Sequence, residues 1–178
     1  MTIAEKYIKE GDIVIDATAG NGFDTLALSN LVGEKGKVYA FDIQDEAIRK
    51  AKKYIKEQGI FDNVVFINDS HENLTSYTEE KEGIAAVVFN LGYLPSGNKE
   101  VVTRPSSSVA AIRESFEVLK TGGLISIVLY PGTDTGMAER DEVLSFVKGL
   151  DAEKYHVCLL TMPNQKNSPP EIIWIEVK

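Results

Sequence analysis

Residues 16–22 read Asp16-Ala17-Thr18-Ala19-Gly20-Asn21-Gly22 and follow directly on the apolar run Ile13-Val14-Ile15. A short β-rich run that breaks into glycines and then becomes helical is the opening of a strand–turn–helix unit. The glycines supply backbone angles that other residues avoid and let a ligand come close to the main chain. The helix start behind them presents N–H groups with no partner of their own, a ready site for a carboxylate or phosphate.

The same alternation continues outward from this turn. The first helix is expected to run to about Leu31, with Phe23, Leu26, Ala27 and Leu31 inward. Lys37–Asp42 reads as a second strand, and Asp45–Gln58 as a helix whose Ala47, Ile48, Ala51 and Ile55 share one face. Val64–Ile67 is a short third strand. Ile84–Asn90 is a fourth, apolar throughout and so expected at the centre of a sheet covered on both sides. Pro105 opens a helix that the Thr121-Gly122-Gly123 stretch closes, with Val109, Ile112, Phe116 and Leu119 inward. Leu124–Tyr130 is the fifth strand, Met137–Leu150 a helix, and Tyr155–Thr161 and Glu171–Val177 the last two strands. The pattern predicts an α/β, doubly wound, Rossmann-like domain over 1–178: a mostly parallel seven-stranded sheet with a C-terminal antiparallel strand.

Composition narrows the function classes. The chain has 178 residues and a formal net charge of −8, which speaks against a general nucleic-acid coat protein with a broad basic surface. It leaves room for an enzyme that grips one RNA loop through a local cationic patch. No apolar run is long enough for a membrane helix, and the opening MTIAEKYIKEGD has no apolar core of a secretory signal. With one cysteine, Cys158, no internal disulfide framework exists, which fits a cytoplasmic protein. Cys158 lies in the run HVCLL and is expected to be a buried packing residue.

The turn at 16–22 has the form D-x-x-x-G-x-G, and Asp42 closes the second strand 20 residues after Gly22. An acidic side chain there can accept both hydroxyls of a ribose. A dinucleotide fingerprint would require glycine at position 25, where this chain has Thr25. Asp16 adds a carboxylate before the turn, where an ammonium group could sit, and S-adenosylmethionine carries such a group while NAD does not. The cofactor set is therefore read as Asp16, Ala17, Gly20, Asn21, Gly22, Asp24, Thr25, Asp42, Gln44, Asp69, Ser70, His71 and Asn90, with Asp69 meeting the adenine edge.

The fourth strand ends in Asn90-Leu91-Gly92-Tyr93-Leu94-Pro95. Ligands of open parallel sheets bind beyond the strand carboxyl ends, at the point where strand order reverses. Asn90 and Tyr93 are the catalytic candidates: Asn90 Oδ1 and the Leu91 carbonyl can accept N–H bonds from an amine, and Tyr93 can stack on a base. Two polar loops are candidate substrate clamps. One carries Lys99, Thr103 and Arg104 beyond Leu91 and Gly92; the other holds Asn164, Gln165, Lys166 and Asn167. No metal cluster is implied.

DATAGNGFDT (16–25), FDIQ (41–44), NLGYLP (90–95), TRP (103–105) and NQKNSPP (164–170) together resemble the bacterial family labelled putative rRNA methylases. The resemblance covers nearly the whole chain. Members of that family are recognised as tRNA 5-(aminomethyl)(2-thio)uridine-34 methyltransferases with a class I methyltransferase fold. The resemblance implies S-adenosylmethionine as cofactor, the tRNA anticodon loop as partner, and methyl transfer to the aminomethyl nitrogen of the wobble uridine. It leaves a methyltransferase acting on rRNA or a small amine as the alternative, and leaves room for a homodimer. The stretch Tyr130-Pro131-Gly132-Thr133 departs from the family's Tyr-x-Gly-His.

Overall fold

The structure is a computed structural model that describes residues 4–59, 62–78, 83–92 and 105–178. Seven strands form one sheet: β1 (Ile13–Asp16), β2 (Lys37–Phe41), β3 (Val64–Ile67), β4 (Ile84–Asn90), β5 (Leu119–Leu129), β6 (Tyr155–Leu160) and β7 (Glu171–Val177). Their order is β3-β2-β1-β4-β5-β7-β6. The pairs among β1 to β5 are parallel. Strand β7 runs antiparallel to both of its neighbours, β5 and β6. Reversing direction twice makes β6 parallel to β5, so the carboxyl ends of β1 to β6 all open on one edge of the molecule. The helices are α1 (Ala4–Tyr7), α2 (Phe23–Val32), α3 (Asp45–Glu57), α4 (Pro105–Val118) and α5 (Asp134–Lys148), with a 3₁₀ segment at His71–Ser76. Among the described residues no helix is long and apolar enough to cross a membrane.

Strand β4 lies mid-sheet, and Ile84–Val87 and Phe89 are fully buried, as an all-apolar strand covered on two faces requires. Helix α3 buries Ala47, Ile48, Ala51 and Ile55, the four read from its 3.6-residue period. Helix α2 buries a different face from the expected one: Thr25, Leu28, Ser29 and Val32, while Phe23 stands exposed. The reason is polar. The Thr25 hydroxyl donates to Asp16 at 2.6 Å and the Ser29 hydroxyl to Asn63 at 2.7 Å, so both hydroxyls are satisfied inside. Helix α4 ends two residues earlier than expected. Leu119 already pairs with Ile84, and the Thr121-Gly122-Gly123 stretch is absorbed into β5 across an irregular register rather than closing a helix. Cys158 is exposed, because it sits on the outermost strand.

Candidate active site

The order of strands reverses between β1 and β4, and the candidate site lies at their carboxyl ends. The turn after β1 is pinned at several points. Ala17 N–H donates to Val88 O at 2.8 Å, Ala19 N–H to Phe41 O at 2.8 Å, and Asn90 N–H to Thr18 Oγ1 at 2.7 Å. Three strand ends are thereby locked together, by two backbone bonds and one to the Thr18 hydroxyl. Gly20 and Gly22 adopt left-handed φ values of 52° and 87°. A β-carbon on Gly22 would lie 3.0 Å from the Ala51 Cα, so this glycine admits α3 and not a ligand. No side chain caps α2, and Asp24 sits in its first turn.

Asp16 has no surface open to a ligand. It is fully buried, its oxygens accept from Thr25 Oγ1 at 2.6 Å and Thr18 N at 3.1 Å, and desolvation pushes its pKa up to about 7. Its role is to tie the turn to α2, which replaces the expected contact with an ammonium group. Thr25, also fully buried, is its partner and belongs to the same interior knot.

Asp42, the carboxylate expected at the ribose, is held by backbone amides. Its Oδ2 accepts from Gly20 N–H and its Oδ1 from Gln44 N–H, each at 2.9 Å. Those two bonds aim the group and leave each oxygen a lone pair. Burial still holds its pKa above the ordinary value. Beside it Ile43 is 64% exposed, a large apolar surface fit for the face of a purine. The sequence reading missed Ile43; its position between Asp42 and a helix start was the available signal. Asp69 is half-buried and accepts from the Tyr77 hydroxyl, Ser70 N–H and Asn73, bonds that hold its pKa down. Ser70 caps the 3₁₀ segment. His71 is buried against Phe89, its Nδ1 bonded to Ala17 O at 3.1 Å, which places its proton on Nδ1. Burial lowers its pKa, which favours the neutral ring, and its buried Nε2 has no partner among the described residues.

At the other end of the pocket, Asn90 Nδ2 donates to Asp24 Oδ2 at 3.2 Å. An ionised carboxylate only accepts, so this bond fixes which way the amide points. The Tyr130 hydroxyl lies beside the Asn90 side chain, a polar contact that works against the rise in the phenol pKa that burial causes. With Nδ2 turned to Asp24, Oδ1 is the amide atom suited to accept from a ligand. The Tyr130 ring covers Gly92, where an added β-carbon would sit 3.4 Å from ring Cδ2, and it remains 43% exposed. Leu91 is buried, its N–H bonded to Val128 O, so only its carbonyl is available to the site. Tyr130 was not among the expected site residues. Its place at the head of the Tyr130–Thr133 stretch was the available signal, while its neighbours Asn90 and Gly92 come from the adjoining strand end.

Tyr93, Lys99, Thr103 and Arg104 lie outside the described residues. The loop carrying Asn164, Gln165, Lys166 and Asn167 is exposed and leaves the carboxyl end of β6, on the same edge as Asn90. Asn167 and Ser168 hold left-handed φ values of 64° and 48°, and Ser168 O comes within 3.8 Å of a β-carbon built on Gly132. That places the loop beside the turn following Tyr130. Its base is held by Arg140, which bonds both oxygens of Glu171 at 2.8 and 3.2 Å.

The model of the family described as "Putative rRNA methylase" matches residues 38–176. A solved structure described as a putative rRNA-methylase from Clostridium thermocellum has 45% identity and a TM-score of 0.94, over 98% of this chain and 92% of that one. A second, SMU.1697c from Streptococcus mutans, described as a putative methyltransferase in complex with SAH, has 40% identity and a TM-score of 0.88, over 98% and 93%. A curated relative from Arabidopsis thaliana, "tRNA (mnm(5)s(2)U34)-methyltransferase, chloroplastic", is 37% identical over 174 residues, 93% of this chain and 63% of the relative. The chain spans less than two thirds of the length of the curated relatives it matches.

Proposed function

Since the chain belongs to the putative rRNA methylase family, we propose that it transfers a methyl group from S-adenosylmethionine to the aminomethyl nitrogen of 5-aminomethyl-(2-thio)uridine at tRNA position 34. The observation that carries this reading is the Asn90 side chain, whose Nδ2 is turned to Asp24 and which thereby keeps Oδ1 as an acceptor for the substrate. An amine N–H is the donor that such an acceptor suits. The Arabidopsis relative, named for this uridine, supports the choice of substrate.

S-adenosylmethionine is the cofactor, and when bound it supplies a methyl group already activated on a sulfonium sulfur. The residues present fit it. The uncapped start of α2 offers backbone N–H groups to its carboxylate. The Asp24 carboxylate suits its ammonium, Asp42 its ribose hydroxyls, and Ile43 the face of its adenine. On the substrate side, Asn90 Oδ1 accepts one N–H of the neutral amine and thereby turns the nitrogen lone pair toward the cofactor side of the pocket. Tyr130 keeps the amide from rotating. An alkylamine is mostly protonated near neutral pH, and burial beside the Tyr130 ring favours its neutral form. The 164–170 loop sits where Lys166 can meet a phosphate of the anticodon loop. The protein's contribution is orientation and exclusion of water, with no covalent enzyme intermediate.

The test is single-turnover methylation of tRNA bearing 5-aminomethyluridine, read by nucleoside mass spectrometry. Appearance of 5-methylaminomethyluridine supports the reading. Methylation of rRNA or of a free amine, with none on this tRNA, overturns it.

A further inference from the structure

Helix α5 grips its surroundings at three points within its first two turns. Gly136 packs so closely under the Tyr130 carbonyl that an added β-carbon would collide with it. Glu139 is buried and accepts from the Ser108 hydroxyl of α4 at 2.6 Å. Arg140 reaches across to β7 and holds Glu171 as a fork, Nε to Oε2 at 2.8 Å and Nη2 to Oε1 at 3.2 Å. Its Nη1 bonds Asp141 at 2.9 Å. Val143, Leu144 and Val147 bury the inner face of the helix, so the core sets where α5 lies. Glu171 is the first residue after the 164–170 loop, and it pairs across the sheet with Leu129, the neighbour of Tyr130. The other end of the loop leaves the edge strand β6. Between Pro163 and Pro170 the backbone has one hydrogen bond among the described residues, Gln165 N–H to Met162 O at 3.0 Å. Yet Asn167 and Ser168 are kept at φ values of 64° and 48°, which non-glycine residues hold only where the surroundings enforce them. The Arg140–Glu171 fork stands at the foot of that strained stretch.

We propose that Arg140 is a positioning residue for the RNA substrate: its fork on Glu171 fixes the 164–170 loop at the Tyr130 end of the pocket, and the loop in turn sets where the target nucleotide lies relative to Asn90. This rests on the reading of the loop as an RNA contact. A planar guanidinium that meets both carboxylate oxygens fixes direction as well as distance, which a lysine ammonium does not. The pair is only partly exposed, 27% for Arg140 and 16% for Glu171, so solvent ions screen it weakly. Because α5 also abuts Tyr130 through Gly136, one helix carries both the foot of the loop and the ring beside Asn90. The spacing between RNA contact and amine acceptor is thereby set by a single rigid element. The Asp42 end of the pocket is separated from β7 by β1, β4 and β5, so loss of the fork leaves the cofactor side in place.

Hydrogen exchange of the substrate-free protein reads the loop directly. Amides 164–168 should exchange several-fold faster in Arg140→Ala than in the wild type, with those of β4 and α2 unchanged. Steady-state methylation of tRNA bearing 5-aminomethyluridine reads the consequence. Arg140→Ala and Glu171→Ala should each raise the tRNA KM by roughly 10-fold, keep kcat within about twofold and leave cofactor affinity by calorimetry unchanged, and the double variant should be no worse than either single. Arg140→Lys, which keeps the charge and loses the fork, should fall between wild type and Arg140→Ala. Unchanged loop exchange overturns the proposal whatever the substrate. That failure is distinct from failure of the substrate reading, which shows as a wild type unable to methylate this tRNA. Faster exchange with an unchanged tRNA KM overturns it as well, and so do additive effects of the two single variants. An effect confined to Arg140 would make it a direct RNA contact instead. A parallel loss of kcat and cofactor affinity would mark a residue that only holds the fold, and would equally sink the positioning role.

Discussion

The two ends of the pocket are held by different means. Around Asp42 the bonds come from backbone amides: Gly20 across one strand and Gln44 two residues on. Around Asn90 they come from side chains: Asp24, 66 residues earlier, and Tyr130, 40 residues later. A backbone cradle survives most substitutions nearby and aims a single carboxylate. A side-chain trio is only as good as each member, because losing one frees the others to rotate. Substitutions at the Asn90 end should therefore damage turnover, and substitutions at the Asp42 end should damage affinity.

The largest expected effect is at Asn90. Asn90→Ala removes the only group in the trio that faces the amine, and methyl transfer in a single-turnover assay should slow by roughly 100-fold or more, since misplacement of a reacting group is costly. Cofactor affinity by calorimetry should barely change. A near-normal rate would break the comparison at its strongest point. Asp42→Ala comes next and should do the reverse. It should weaken S-adenosylmethionine binding by about 1–3 kcal/mol, the cost of stranding hydrogen-bonded hydroxyls, with little change in rate at saturating cofactor. Unchanged affinity would take Asp42 out of the site.

Tyr130→Phe is smaller still and sharpens the comparison. It keeps the ring over Gly92 and removes one bond to the Asn90 amide. The bond contributes on the order of 1 kcal/mol, so kcat should fall by roughly 5-fold while KM and cofactor affinity hold. A rise in KM with unchanged kcat would make Tyr130 a wall for the substrate ring and nothing more.

The same contrast explains what was legible in the sequence. The seven strands and the α3 face follow from local apolar period, and Asp42 from its spacing to a glycine turn. What escaped was decided by partners remote in the chain. Thr25 and Ser29 sit inside because Asp16 and Asn63 wait for them there. Cys158 is exposed because its apolar run became the edge strand, paired on one side with β7. Tyr130 joins the site through the strand beside it. Leu119 was read as helix because its pairing with Ile84 lies 35 residues away.

Asp16 gives the smallest expected effect on the pocket and the clearest measure of its separation from it. Asp16→Asn resembles the protonated carboxyl: its carbonyl oxygen can still accept from Thr18 N–H, and its amide can donate to Thr25 Oγ1. Because Asp16 is buried and already titrates near pH 7, cofactor affinity at that pH should stay within about twofold. The signature lies in stability. An unfolded aspartate ionises near 3.8, while the folded one keeps its proton up to about 7. Between those values the folded state holds the extra proton, so acid favours folding and stability falls as pH rises. The contribution is fully present below about pH 4 and lost as pH passes through about 7. Urea unfolding of wild type and Asp16→Asn at pH 5 and pH 8 isolates it, since other titrating groups are common to both. The wild type should lose ground to the variant on going to pH 8. A difference that is the same at both values would mean that Asp16 is not the buried titrating group, and a large loss of cofactor affinity in the variant would return it to the pocket.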